Sequence, residues 1–226
     1  MSLIQRLWSE YSKCSKCTLC EARKTVVFGN GNEKADILIV KSNPTVNEDI
    51  QGTYLTPDLK FLIQCFRKAV KSRKSLDITG DIFLESCFIT SAVLCRPTFV
   101  EGAFIGQDRK AQPKEVKLCA DRLYKTIYAV DPKVIVAFGR NAISQLKSIS
   151  NTKTKARQTG EVGEVFTALV PGLTLSVPYS VIPAPCLELA EVNGDYDYED
   201  GKVLSVVRAL QNAVTIVKEL NQEDTF

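Results

Sequence analysis

Lys133-Val134-Ile135-Val136-Ala137-Phe138, closed by Gly139, is a short β-rich apolar run ending on a turn residue. It reads as a buried strand, and Gly139 begins a turn into a helix through about Ile149. Upstream, Pro113 opens a helix that runs to about Val130. The same alternation recurs toward the N-terminus. Ala35-Asp36-Ile37-Leu38-Ile39-Val40 is another buried strand, and Thr56-Pro57 starts a helix running to about Ser72, with Thr56 as its cap. Cys87 to Leu94 reads as a further strand, and Pro97 to Gln112, with two glycines, as a loop. Two weaker strands are expected around 164–170 and 174–182, an acidic loop from Asn193 to Gly201, and a terminal amphipathic helix through about Leu220. Ser2 to Tyr11 has helical apolar spacing. Strands alternating with helices predict a mostly parallel sheet covered on both faces. Ligands of such folds bind at the carboxyl ends of strands, which points to the loops after Val40, after Leu94 and around Pro183.

The 226 residues are 45% hydrophobic and 24% charged, enough for one sizeable core or two small ones. The net charge of +3 points only weakly to nucleic acid, and the basic runs at 67–68, 71–74, 109–110 and 153–157 each read singly as solvated faces. No apolar run approaches the ~20 residues of a membrane span. The amphipathic N-terminus is not a secretory signal, so an intracellular, cytoplasmic protein is expected, with no membrane partner. The chain has no histidine, which removes the commonest general acid/base and the commonest nitrogen metal ligand.

Eight cysteines in a chain this rich in core residues do not call for a disulfide framework. A subset on metal fits better. Cys14-x-x-Cys17 is a ligand pair, Cys95 follows the strand after Cys87, and Cys119 sits on the helix that Pro113 opens. Zinc sites more often use a second tight pair, so the wide spacing favours a [4Fe-4S] cluster, with zinc as the alternative. Cys20 is a rival ligand, Cys65 and Cys87 read as small buried side chains, and Cys186 could be either.

The surrounding residues resemble a family. Cys14-Ser15-Lys16-Cys17-Thr18-Leu19-Cys20-Glu21-Ala22-Arg23 and its continuation to Gly29-Asn30-Gly31 are similar to the N-terminal signature of the iron–sulfur (family 4 and related) uracil-DNA glycosylases. The strand at 35–40, Glu48-Asp49-Ile50-Gln51-Gly52, Cys95-Arg96-Pro97, the Pro113-x-Glu115-x-x-x-Cys119 helix and the stretch from Pro132 to Arg140 follow in the family's order. The likeness covers most of residues 12–190. It implies a single domain over 1–226: a three-layer α/β/α fold around a mostly parallel four-stranded sheet, with an N-terminal iron–sulfur segment. It also implies a [4Fe-4S] cluster on Cys14, Cys17, Cys95 and Cys119, and binding to DNA without sequence preference. The loop between Cys95 and Cys119 is longer than the family's, and residues 98–112 are a candidate protein-partner surface.

The family's chemical groups are replaced. Its Gly-Glu-x-Pro-Gly motif reads here Lys41-Ser42-Asn43-Pro44-Thr45, so a serine stands for the acid. The base-reading asparagine falls at Ser91, which lacks an amide's paired donor and acceptor. The His-Pro motif aligns with Ala184-Pro185. Tyr54 stands near the family's base-stacking aromatic, Asn43 resembles the water-positioning asparagine of the mismatch-specific branch, and Glu48 and Asp49 are close enough in sequence to contact a water. Arg96, Arg140, Lys153, Lys155 and Arg157 are expected to meet phosphates, and Leu187 is a possible apolar wedge. The replacements at Ser42, Ser91 and Ala184 together predict a protein without uracil excision, acting as a DNA-binding or assembly subunit in replication or repair. The alternatives are an active glycosylase using Asn43, and a protein-partner module without DNA contact.

Overall fold

The structure is a computed structural model and describes residues 1–70, 81–149, 164–171, 176–187 and 201–223. Residues 150–163, with Lys153, Lys155 and Arg157, and the acidic 193–200 segment lie outside the described residues. The elements run α1 (Leu3–Tyr11), α2 (Leu19–Ala22), β1 (Asn30–Gly31), β2 (Ile37–Lys41), α3 (Val46–Gln51), α4 (Leu59–Ala69), α5 (Asp81–Ser86), β3 (Cys87–Ser91), α6 (Pro113–Val130), β4 (Val134–Phe138), α7 (Arg140–Lys147), β5 (Phe166–Pro171), β6 (Ser176–Ala184) and α8 (Gly201–Glu223).

β2, β3 and β4 are buried at every position, as parallel strands covered on both faces must be. The sheet order is β1-β3-β2-β4-β6-β5. β3, β2, β4 and β6 are mutually parallel. The four-stranded expectation is therefore corrected to six: an antiparallel strand is added at each edge, β1 on β3 and β5 on β6. β1 exists because Gly31, at φ +110°, lets the chain lie against the Cys87 carbonyl, where any Cβ would collide. β5 alternates buried with less buried residues, the pattern of a half-covered antiparallel edge.

Side chains of successive β2 residues go to opposite layers. Leu38 and Val40 join one core with α1, α6 and α7, while Ile37 and Ile39 join the other with α4, α5 and α8. This is the expected three-layer α/β/α arrangement. Two local expectations shift. Thr56 does not cap α4: the chain at 56–58 makes a turn, in which the Thr56 carbonyl accepts from Leu59 N–H at 3.0 Å, and Asp58 is the N-cap residue. The strand expected to reach Leu94 ends at Ser91, and Ala92 to Leu94 continue into the core beneath the cysteines.

Parallel register brings the strand ends into line. Lys41 pairs with Ser91, and Phe138 with Ala184. Ser42, Ser91, Gly139 and Ala184 consequently share one edge of the sheet.

Candidate metal centre and adjoining strand-end pocket

Cys14 and Cys17 lie in the turn that leaves α1, where Cys14 N–H donates to the Tyr11 carbonyl at 3.0 Å. Cys95 follows β3 by four residues, and Cys119 lies on α6. All four line one cavity together with Arg23, Leu94 and Arg122. Cys20 does not line it. Cys65 and Cys87 are fully buried in the core layer on the other side of the sheet. The cavity has a cationic rim: Arg23 Nη1 donates to Cys95 Sγ at 3.3 Å, and Lys16 is also part of the wall. Burial pushes the Cys95 thiol up to about 12 against the pull of Arg23, and burial also raises Cys17. A metal that takes these sulfurs as thiolates must displace their protons, so its binding energy works against this desolvation. Among the described residues no group of three or more His, Cys, Asp or Glu side chains is placed to hold a metal ion as it stands.

The donor set nevertheless fits an anionic metal–thiolate group. Four sulfurs from three separate segments converge on one apolar-walled space, and the buried Nε of Arg122 beside them has no acceptor. An unpaired cationic donor on a residue that lines the cysteine cavity is what a negatively charged group would satisfy.

The strand-end pocket is occupied by the protein's own groups. Tyr54 is wholly buried, and its hydroxyl donates to Ser91 Oγ at 2.6 Å. Burial raises the Tyr54 phenol, so it stays a neutral donor. Lys41 reaches over the Tyr54 ring, 5.4 Å from its centroid, and pairs with Glu48 Oε1 at 2.5 Å. Glu48 closes a capping box on α3, accepting from Thr45 N–H at 2.9 Å while Thr45 caps the helix. Burial raises the Glu48 carboxyl, and Lys41 with the Thr45 amide pulls against that rise. Asp49 accepts from the backbone N–H groups of Lys24 and Thr25 and so fastens the N-terminal segment to α3. Both carboxylates proposed to contact a water are buried and bonded inward.

Ser42 Oγ donates to the Phe138 carbonyl at 3.2 Å and accepts from Asn141 N–H at 3.3 Å. Asn43 is half-buried, and its amide donates to the Pro44 carbonyl at 3.2 Å. Ala184 is buried, and Pro185 and Cys186 are partly so. Gly139 takes φ +80°, and an added Cβ would stand 2.6 Å from Ser42 Oγ and 3.3 Å from Cys186 Sγ. The chain can pass between β4 and α7 here only as glycine.

Of the expected phosphate contacts, Arg96 pairs with exposed Asp108 at 2.6 Å, and Arg140 is exposed at the start of α7. Leu187 packs partly against the core. The 98–110 stretch is a built hairpin rather than a featureless loop: Thr98 bridges Asp108, and Arg109 holds its base through a two-pronged pair with buried Glu115 at 2.9 and 2.6 Å. Phe104 and Ile105 stand 58% and 67% exposed at its tip.

Sequence reading missed Lys41 and Arg122 as site residues. The signals were present: a lone charge ending an apolar strand, and an arginine set within the apolar stripe of a helix beside Val116, Cys119 and Leu123.

A family model described as the uracil DNA glycosylase superfamily matches residues 28–186. The chain is similar to the type-4 uracil-DNA glycosylase of Saccharolobus solfataricus, 30% identical over 188 residues that span 83% of this chain and 78% of that protein. It is 29% identical to the type-4 uracil-DNA glycosylase of Archaeoglobus fulgidus over 167 residues, 73% of this chain and 75% of that one. For the type-4 enzyme of Thermotoga maritima the figures are 27% over 164 residues, 71% and 76%. These matches agree with the resemblance read from the N-terminal cysteine signature and the strand-end motifs. The chain belongs to the uracil-DNA glycosylase superfamily.

Proposed function

We propose that the chain is a uracil-DNA glycosylase-like iron–sulfur protein that has lost uracil excision and serves on DNA as a binding or assembly subunit in replication or repair. The observation that carries this is the 2.6 Å hydrogen bond from Tyr54 to Ser91. A base to be excised must be flipped between a stacking ring and a group that reads its edge. Here the residues at those two positions bond each other, and Lys41 lies over the same ring. Excision also needs a group to polarise water and a donor for the departing base. Glu48 and Asp49 are tied to Lys41, Thr45, Lys24 and Thr25, Ser42 is bonded to the Phe138 carbonyl, and Ala184 has no proton to give.

Cys14, Cys17, Cys95 and Cys119 are the residues that would hold the cluster, supported by their shared cavity and by the type-4 naming of the relatives. Once bound, a [4Fe-4S] cluster acts as a staple whose binding energy adds to folding. Zinc, the alternative, requires all four sulfurs to close on one ion. Arg96, Arg140 and the basic 153–157 run would neutralise phosphates without reading sequence.

Uracil release from single- and double-stranded DNA, run beside a salt-titrated gel shift, is the test. The expected result is binding that weakens with salt and no release above a protein-free control. Robust release that Asn43→Ala abolishes overturns the proposal in favour of the active alternative. A second reading, a protein-partner module acting through residues 98–112, is favoured by the exposed Phe104 and Ile105 at the tip of the pinned hairpin. Failure to bind DNA at low salt by cluster-loaded protein selects it.

A further inference from the structure

The cysteine cavity contains a cation that ligand geometry alone does not require. Arg122 lies on α6 three residues after Cys119, and only 1% of its surface is exposed. A guanidinium carries five N–H donors and keeps its charge in proteins. Its Nη1 donates to Thr90 Oγ1 at 3.0 Å, and its Nη2 donates to the Ser91 carbonyl and, at 3.3 Å, to the Ala92 carbonyl. All three acceptors are neutral, and Nε has none. A buried charge without a counter-ion is among the most destabilising features a fold can contain. The groups lining the same cavity that become anionic when they take up a metal are the four cysteine thiols.

We propose that Arg122 is the buried counter-cation and positioning residue of the group bound by the four cysteines, and that it ties that group to the strand-end pocket. The inference rests on the iron–sulfur reading above and goes beyond it. A [4Fe-4S] cluster on four thiolates is net negative, and it gains one more negative charge on reduction. A fixed guanidinium beside it therefore favours the reduced form over the oxidised one. The other end of the same fork grips the carbonyl of Ser91, whose hydroxyl receives the Tyr54 bond. Cys119, Arg122, Ser91 and Tyr54 thus form one connected run from the cavity to the pocket. This run has two arms: charge on the cluster side and hydrogen-bond geometry on the pocket side.

The two arms separate in variants. Protein purified without oxygen is assayed for iron, sulfide and visible absorbance, then titrated for its cluster midpoint potential and timed for bleaching by a chelator. In Arg122→Gln the midpoint is expected to fall. A tenfold weaker preference for the reduced form is 59 mV for one electron. Bleaching is expected to quicken at least tenfold. Arg122→Lys restores the charge without the fork, and its midpoint is expected to return to the wild-type value. A merely structural arginine would lower stability in both variants and leave the midpoint unmoved. That outcome, or a lysine variant shifted as far as the glutamine one, overturns the proposal. If Arg122→Gln does not accumulate, Arg122→Met takes its place as the charge-free variant: a lowered midpoint there beside a wild-type midpoint in Arg122→Lys supports the charge role, and an unmoved midpoint in Arg122→Met refutes it. Wild-type protein that contains no iron overturns the iron–sulfur reading first, and this inference with it.

Discussion

Replacing Glu48 with alanine tests the strand-end pocket most directly. Glu48 is 1% exposed and pairs at 2.5 Å with Lys41, whose ammonium is itself buried. In Glu48→Ala that ammonium loses its carboxylate partner, and breaking such a buried pair from one side costs about 3–5 kcal/mol. The Thr45 amide also loses the acceptor that closes the capping box of α3, at a cost of about 1 kcal/mol. The sum, roughly 4–6 kcal/mol, is a large share of the about 5–15 kcal/mol that holds a domain folded. With a urea slope of about 2 kcal/mol per molar, the unfolding midpoint followed by far-ultraviolet circular dichroism should fall by about 2–3 M at an unchanged slope. The double variant Lys41→Met with Glu48→Gln removes both charges, keeps an acceptor for Thr45, and fills the same space. It should recover most of the loss, because a buried pair exchanged for well-packed neutral groups is often neutral in stability. A single-variant loss below about 1 kcal/mol, or a double variant no more stable than Glu48→Ala, would show that Lys41 and Glu48 are not a mutually dependent pair.

Three further outcomes are expected. For Glu115, burial pushes the carboxyl up, but the Arg109 fork and the Gln112 amide outweigh it and hold the group below its ordinary value. Its stabilisation is therefore present above the ordinary carboxylate range and lost as pH falls through the depressed pKa. Urea midpoints measured from neutral to acid pH should fall less steeply in Glu115→Gln than in wild type, and equal slopes would contradict this. Gly139→Ala forces a methyl group to 2.6 Å from Ser42 Oγ at φ +80° and should cost about 1–3 kcal/mol by chemical denaturation; an unchanged midpoint would mean that the β4–α7 turn relaxes freely. Cys119→Ser should abolish iron binding and visible absorbance and lower the thermal midpoint. Retention of full iron content would remove Cys119 from the ligand set.

The sheet was legible because burial on both faces leaves a mark in one dimension. The runs at 35–40 and 133–138 have no polar alternation, and β2 and β4 occupy them within a residue or two. The edges were less legible. β1 is two residues long and is made possible by one glycine's φ, which carries no periodicity. The run from Cys87 to Leu94 overshot β3 because apolarity marks burial rather than strand: Ala92, Val93 and Leu94 are buried beneath the cysteine cavity with no ladder partner of their own beyond Ser91. Helix α3 is short and inverts the usual pattern, burying Glu48 and Asp49 while Val46 and Ile50 are exposed, yet its Thr45-x-x-Glu48 capping box could have been read directly. At the site, residue type together with spacing and motif marked four of the eight cysteines, which line one cavity. The pairs that fill the pocket left no comparable mark. Tyr54 and Ser91 lie far apart in sequence, and only the parallel register of β2 and β3 brings their surroundings together.

The same register gives an energetic reason why the polar groups at the strand ends belong together. Ser42 is satisfied by the Phe138 carbonyl and the Asn141 amide, Ser91 by Tyr54 and Arg122, and Lys41 by Glu48. A ligand entering this edge must break at least one of these bonds before making its own. Each buried group left unsatisfied costs about 1–3 kcal/mol, more where a charge is involved. Displacing Tyr54 from Ser91 and Lys41 from Glu48 together would therefore consume several kcal/mol of binding energy before any chemistry began. An active pocket keeps its polar groups poised for a substrate and bears the strain of leaving them open. In this pocket the polar groups complete one another, which supports the proposed loss of excision. Restoring a carboxylate at Ser42 alone should therefore yield no excision. The carboxylate would still face a site closed by the Tyr54–Ser91 bond, and uracil release by Ser42→Glu would show that the closure is no barrier.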